Sequence, residues 1–185
     1  MVRHLPGTTI EVSQPNAAAA NEILTNIFMA GGLVLSQVSG LTDLEPYIVQ
    51  NWVKRGFLPP PRHKMYSKRQ FCRIAIINML RDVLQIDKIT GLLSYINGRL
   101  DDESDDIIDD SELYIYYLKA VYGVSDDGGD ISQRIASSVE EAVEGFAEPF
   151  PGARLRLVKV LSVMVCAHYA AVMRSRAEEI LNSLD

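Results

Sequence analysis

The sequence predicts a mainly α-helical fold, on three observations. In segment after segment, apolar residues recur at steps of three and four, the spacing of one buried helix face. Between those segments stand helix stops and starts: Gly31-Gly32, Gly56, Pro59-Pro60-Pro61, Asn97-Gly98 and the pair Pro149 and Pro151. The last segment, 154–184, contains no breaker and predicts one helix of roughly 45 Å at 1.5 Å per residue.

Residues 1–15 show no clear period and read as a tail. Residues 17–30 are alanine-rich, with Ile23, Leu24, Ile27 and Phe28 at helical spacing. A short helix follows over 36–42, with Ser36 as its expected N-cap. Asp43 then turns the chain, since Asp tolerates left-handed geometry better than most residues. Pro46 fits the first position of the next helix, 46–55, because its φ is already helical and its missing N–H would have been an orphan. Val49, Trp52 and Val53 mark that helix's buried face, with Trp52 as the core anchor, and Gly56 ends it. Three prolines hold the chain extended into Arg62-His63-Lys64-Met65-Tyr66. Ser67-x-x-Gln70 is a capping box that opens a helix to about residue 83, and Asp87 is the expected cap of another, ending at Asn97-Gly98.

Residues 100–111 are an acidic run. Asp101, Asp102, Glu103, Asp105, Asp106, Asp109 and Asp110 repel one another, which predicts an exposed linker. Helices are expected again over 112–122 and 131–147, the second with Ile131, Ile135, Val139, Val143 and Phe146 on one face. The chain thus divides into a tail and helix (1–32), a head (33–98), an acidic linker (99–111) and a helical C-terminal region (112–185).

Of the 185 residues, 48% are hydrophobic and 23% charged, a globular balance and not a disordered one. Cys72 and Cys166 have no CxxC or Cys/His spacing, which points to free thiols in a reducing cytoplasm, with no disulfide and no metal. Residues 1–15 lack the apolar core of a signal peptide. The apolar stretch 160–173 includes Ser162 and His168 and is too short to span a bilayer, so no membrane partner is expected. Gly-rich phosphate loop, GxSxG and HExxH patterns are absent from the sequence, and an enzyme or a cofactor protein is not expected. His168 and the tyrosines Tyr114, Tyr116, Tyr117 and Tyr122 read as packing residues before ligands.

The net charge of −6 conceals an asymmetry. Residues 36–81 carry eight Lys and Arg against Asp43 and Glu45, whereas residues 82–150 carry four against seventeen acids. A local basic block, not the average, is the footprint that matters for phosphate binding.

The stretch from Leu35 through the prolines to Tyr66-Ser67 and on to Leu93 resembles the winged helix-turn-helix head of MerR-type transcription regulators. Leu35, Val38 and Leu41 fall on the apolar positions of that family's first helix. Val49-Gln50-Asn51-Trp52 and Arg55-Gly56-Phe57-Leu58 match its second, and Tyr66-Ser67 matches the close of its wing. The chain also resembles an uncharacterised bacterial domain family that shares the Gln50–Gly56 pattern, the prolines and Tyr66-Ser67. Gln50 departs from the MerR pattern, standing where an arginine usually meets phosphate, and the wing is short.

The resemblance implies a DNA-binding transcription regulator acting on duplex DNA as a homodimer. Tyr47, Gln50, Asn51 and Lys54 would face the major groove; Gln and Asn suit adenine edges, and Lys suits guanine or phosphate. Arg55 closes that helix, and Arg62, His63, Lys64, Lys68 and Arg69 would hold phosphates. The dimer is expected through the helix 154–184 and its stripe Leu157, Leu161, Met164, Val165 and Val172. A small-molecule effector site in the helical region is compatible with this. The rival reading is a helical protein-interaction module that keeps the fold without the DNA contacts.

Overall fold

Local chemistry sets most of the helix ends. In the computed structural model, which describes residues 3–98, 100, 106–126 and 128–184, Asn16 opens α1 (Ala17–Phe28) by accepting the Ala19 N–H at 2.7 Å. The next helix, α2 (Leu35–Thr42), starts one residue before the expected cap. Its N-cap is Val34, whose N–H donates to the Gln37 side chain at 3.0 Å, so Ser36 lies inside the first turn. Asp43 takes the left-handed conformation expected of it, at φ 54°. Pro46 begins α3 (Pro46–Lys54). That helix closes in a Schellman turn: the Gly56 N–H reaches the Val53 carbonyl at 3.1 Å, the Phe57 N–H reaches Trp52 at 2.8 Å, and Gly56 has φ 74°.

The capping box at α4 (Lys68–Leu80) is complete. Ser67 Oγ accepts the Gln70 N–H at 3.2 Å, and Gln70 Oε1 accepts the Ser67 N–H at 2.9 Å. Gln85, not Asp87, is the N-cap of α5 (Ile86–Asn97); Asp87 sits in the first turn, where its charge favours the helix dipole. Asp109 and Asp130 cap α6 (Asp110–Gly123) and α7 (Ile131–Ala142). The last of these stops short of the expected residue 147 and leaves Phe146 in the following turn. The final element is α8 (Ala153–Asn182).

The N-terminal segment corrects the expectation of a tail. Residues Arg3–His4 (β1) and Glu11–Val12 (β2) pair antiparallel, and Leu5, Ile10 and Val12 are buried. The turn docks on three helices. Thr9 N–H donates to the Leu41 carbonyl at 2.8 Å, Asn78 Nδ2 to Gly7 at 3.0 Å, and the Tyr114 hydroxyl to Pro6 at 2.7 Å. Gly7 is required there: a Cβ would lie 2.1 Å from the Ala75 carbonyl oxygen. Strands of two residues have no period to read, which is why the sequence conceals them. A second ribbon joins β3 (Leu33–Val34) to β4 (Met65–Tyr66), pairing Leu33 with Tyr66 and tying the entry of α2 to the exit of the 59–64 segment.

Helix α4 is the centre of the molecule. All but three of its residues are buried, and α1, α2, α5, α6 and α8 pack around it. One hydrophobic cluster runs from Leu5 to Ala167, so head and C-terminal region share a core that continues across the acidic segment. Of that segment, residues 99 and 101–105 lie outside the described residues. The described part is packed, not the exposed linker the sequence suggests. Ile107 and Ile108 are buried, and Asp110 is 1% exposed. Charge repulsion within the run is overcome because cations of α4 meet it.

Helix α8 bears on two further expectations. Of the expected dimer stripe, Leu157, Leu161, Met164 and Val165 are fully buried in the chain's own core, whereas Val172 is exposed. The short apolar stretch belongs to a 30-residue helix that is long and apolar enough to cross a membrane by length and composition alone, with 33% of its most apolar window buried inside the protein.

Candidate nucleic-acid interface

Amphipathic α3 presents the first half of the site. Val49 and Trp52 point into the core, at 0% and 5% exposure. The opposite side therefore shows Tyr47, Gln50, Asn51 and Lys54, all exposed.

The prolines present the second half. Gln70 Nε2 donates to the carbonyls of Pro59 and Pro60 at 2.9 and 3.0 Å, and Arg73 Nε donates to Phe57 at 2.9 Å. Side chains of α4 thus pin a backbone that has no N–H groups to pair. The chain then reverses in a four-residue turn, with the Met65 N–H donating to the Arg62 carbonyl at 2.9 Å. His63 and Lys64, its two central residues, have φ of 50° and 64°. Positive φ at both centres is the geometry that Asn-Gly normally fills, and for other residues it costs on the order of 1 kcal/mol each. Here the strained positions carry exposed polar and cationic side chains. A groove of about 570 Å³ runs between the start of α2, α3 and the turn, with Gln50 and Lys64 in its walls beside Val34, Leu35, Val53 and Tyr66.

The remaining cations go elsewhere. Arg55 stacks over the Phe57 ring at 4.5 Å and lies 3.9 Å from Asp87, half exposed at the edge of the face. Lys68 turns to α1 and donates to Asn21 Oδ1 at 3.0 Å and Thr25 Oγ1 at 3.2 Å. Arg69 is hydrogen-bonded to Asp106 and lies 3.6 Å from Asp109 and 3.8 Å from Asp110. Burial pulls the Arg69 pKa down; the bond to Asp106 and the charges of Asp110, Asp106 and Asp109 outweigh that and hold it above its ordinary value. Lys68 and Arg69 are therefore not brought to the face with the others. Arg73, which the sequence reading passed over, sits beside them. It is 5% exposed and lies 3.1 Å from Asp110, which also accepts from Asn97 Nδ2 at 3.1 Å. Its sequence signal is an arginine inside the apolar run from Phe71 to Ile77, a position that demands a buried acid.

The other candidates fall into the core. Tyr114 and Tyr117 are fully buried, with hydroxyl pKa values well above the ordinary range because burial disfavours the phenolate. The Tyr117 hydroxyl lies 2.8 Å from His168 Nδ1, and burial lowers the His168 pKa. Cys72 is buried and Cys166 exposed. Tyr116 meets Phe146 edge-on, and both line a cleft of about 720 Å³ with Lys68, Glu112, Lys119 and Glu144. Among the described residues, no three His, Cys, Asp or Glu side chains come together as a metal-ion set.

Residues 22–126 match the model of a family described as a domain of unknown function, DUF1836. The chain belongs to this family. Its DUF1836 region takes in α3, the 62–65 turn, α4 and the acids that meet Arg69 and Arg73. A similar protein, the uncharacterized protein YkrK of Bacillus subtilis (strain 168), is 30% identical over 95 residues, 48% of this chain and 41% of that one. The chain thus matches about two-fifths of the length of that curated relative. No solved structure matches.

Proposed function

We propose that this DUF1836 protein is a DNA-binding transcription regulator that reads duplex DNA with α3 and the 62–65 turn, in the manner of a MerR-like winged helix-turn-helix head. The observation that carries the reading is the strained turn. A fold that needs only to reverse its chain would place Asn-Gly there; this one holds His63 and Lys64 in left-handed backbone next to the exposed side of α3. Gln50 and Asn51 are suited to adenine edges, and Lys54 to guanine or phosphate. Arg62, Lys64, Lys54 and Arg55 supply the phosphate contacts, with His63 between them. Lys68 and Arg69 drop out of the set because each is already bonded within the chain, Lys68 to exposed Asn21 and Thr25 on α1 and Arg69 to Asp106. Helix-turn-helix dimers read paired half-sites about 34 Å apart, which makes a homodimer part of the proposal. A small-molecule effector, if the protein takes one, has the cleft beside Tyr116 as its place.

Fluorescence anisotropy with duplex DNA from upstream of its own gene tests the reading. Four phosphate contacts per head, about eight for a dimer on paired half-sites, predict a log–log salt slope of roughly −7. Arg62→Glu with Lys64→Glu should weaken binding on every sequence and flatten that slope. Unchanged affinity and slope in a folded double variant sinks the proposal.

The rival reading, a protein-interaction module, draws on Gln50 standing where an arginine would meet phosphate, and on the withdrawal of Lys68 and Arg69. It predicts partner binding that is nearly independent of salt.

A further inference from the structure

The three prolines after Leu58 make a stiff rod whose position depends on donors from elsewhere in the chain. Proline fixes φ and has no N–H, so the rod offers carbonyls alone. Leu58, buried at 1% exposure, anchors its start. The carbonyls of Pro59 and Pro60 then share one donor group, Gln70 Nε2, at 2.9 and 3.0 Å. Gln70 is itself buried, and its side-chain oxygen and amide nitrogen are both engaged. Oε1 accepts the Ser67 N–H at 2.9 Å while Nε2 donates to the two prolines. A flipped amide would set its oxygen against two carbonyls, so these bonds fix the orientation of the group. Two roles thus meet on one side chain. The oxygen closes the capping box of α4, a task that glutamate performs as well as glutamine. The NH2 group is the part the cap does not need.

We infer that Gln70 is the positioning residue of the 62–65 turn: its NH2 group holds the proline rod at the angle that sets Arg62, His63 and Lys64 beside the exposed side of α3. Pro60 lies two residues before Arg62, and the fixed φ of the prolines carries the constraint forward. The far end of the turn is held separately, by Met65 and Tyr66 pairing with Val34 and Leu33. Loss of the Gln70 donors therefore frees the near end and leaves that ribbon in place. The consequence for DNA rests on the function proposed above. A turn held in place before binding has less freedom to lose on a phosphate backbone, and so binds more tightly.

Trypsin reads the position of the turn directly, because it cuts after Arg62 and Lys64 and needs local opening to do so. Timed digestion of the full chain, with fragments identified by mass, compares three variants. Gln70→Glu keeps the acceptor for the Ser67 N–H and suits a helix N-terminus, but sets an oxygen where the prolines need a donor. Cleavage after Arg62 and Lys64 should run at least about tenfold faster, and cleavage after Arg174 and Arg176 on α8 should keep its rate. Gln70→Leu removes the donors without adding a charge and should give the same local acceleration. Ser67→Ala removes the other half of the cap and keeps the donors. It should lower the melting midpoint by about 2–4 °C and leave cleavage in the turn unchanged. Affinity of Gln70→Glu for duplex DNA should fall about tenfold on every sequence. Turn cleavage at the unmutated rate in both Gln70 variants overturns the inference. So does equal acceleration in Ser67→Ala, acceleration at all four sites together, or a released turn with unchanged affinity. If the unmutated chain binds no duplex DNA, the DNA-binding proposal falls, and the cleavage rates by themselves decide whether Gln70 holds the turn.

Discussion

The basic block between residues 54 and 73 sends its cations to two places. At the 62–65 turn, Arg62 and Lys64 stand in solvent on a strained backbone. Further along the chain, half-buried Arg69 and buried Arg73 meet Asp106, Asp109 and Asp110, with Arg73 also on the carbonyl of Phe57. The chemistry of the side chains is the same and the consequence opposite. An interior cation is committed to its carboxylate, because either charge left alone would be costly in a low-dielectric site. A surface cation is uncommitted and can exchange water and counterions for a phosphate. The difference teaches that a charge count along the chain measures capacity for binding, not binding. The interior pair serves the surface pair, since Arg73 also fixes the start of the segment that carries the turn.

Breaking the interior member should have the largest effect. Asp110→Ala strands Arg73 and should cost about 3–5 kcal/mol in urea unfolding, while Arg73→Met with Asp110→Leu together should recover most of it. A loss under about 1 kcal/mol for Asp110→Ala would remove the contrast between the two sites. Trp52→Ala, which opens a cavity under α3, should cost a comparable 3–5 kcal/mol. Asn51→Ala should leave the melting curve in place and instead lose about 1–3 kcal/mol of discrimination at one or two base pairs, read by competition binding. Lys64→Gly sharpens the contrast from the surface side. It should raise stability by up to about 1 kcal/mol by relieving the left-handed strain, and lower affinity for DNA. The smallest effect concerns His168. Its folded pKa lies below its ordinary value of about 6.5, so in that window the unfolded chain binds more protons. Stability from this group is full above about pH 6.5 and should fall as pH drops below it. A His168→Gln variant that melts with the same acid slope would contradict that.

Much of the head is legible in the sequence because its signals act over four residues or fewer. Pro46 starts α3, Gly56 with Phe57 stops it, and Ser67 with Gln70 opens α4, each through bonds between near neighbours. The exposed set Tyr47, Gln50, Asn51 and Lys54 follows from where Val49 and Trp52 place the buried face. The ends that shifted, Val34 for Ser36 and Gln85 for Asp87, have N-cap residues whose side chains make no cap bond, so no side-chain signal marks them in the sequence.

What only the tertiary structure decides is which partner a side chain meets when that partner is far along the chain. Arg69 and Arg73 find their acids 37 residues away, and the Tyr114 hydroxyl finds Pro6 108 residues away. The acidic run looks like a solvated linker until the cations of α4 are set against it. Apolar residues occupy both the buried and the exposed sides of α8, and the sequence offers no reason to bury Leu161 and expose Met173. That choice belongs to packing. Helix α8 packs against α4, α5, α6 and α7 and can turn only one of its faces toward them. Helix starts and stops are set by bonds between neighbours and so are written locally; the fate of a charge or an apolar stripe depends on the whole surface that reaches it, and exists only once the chain has folded.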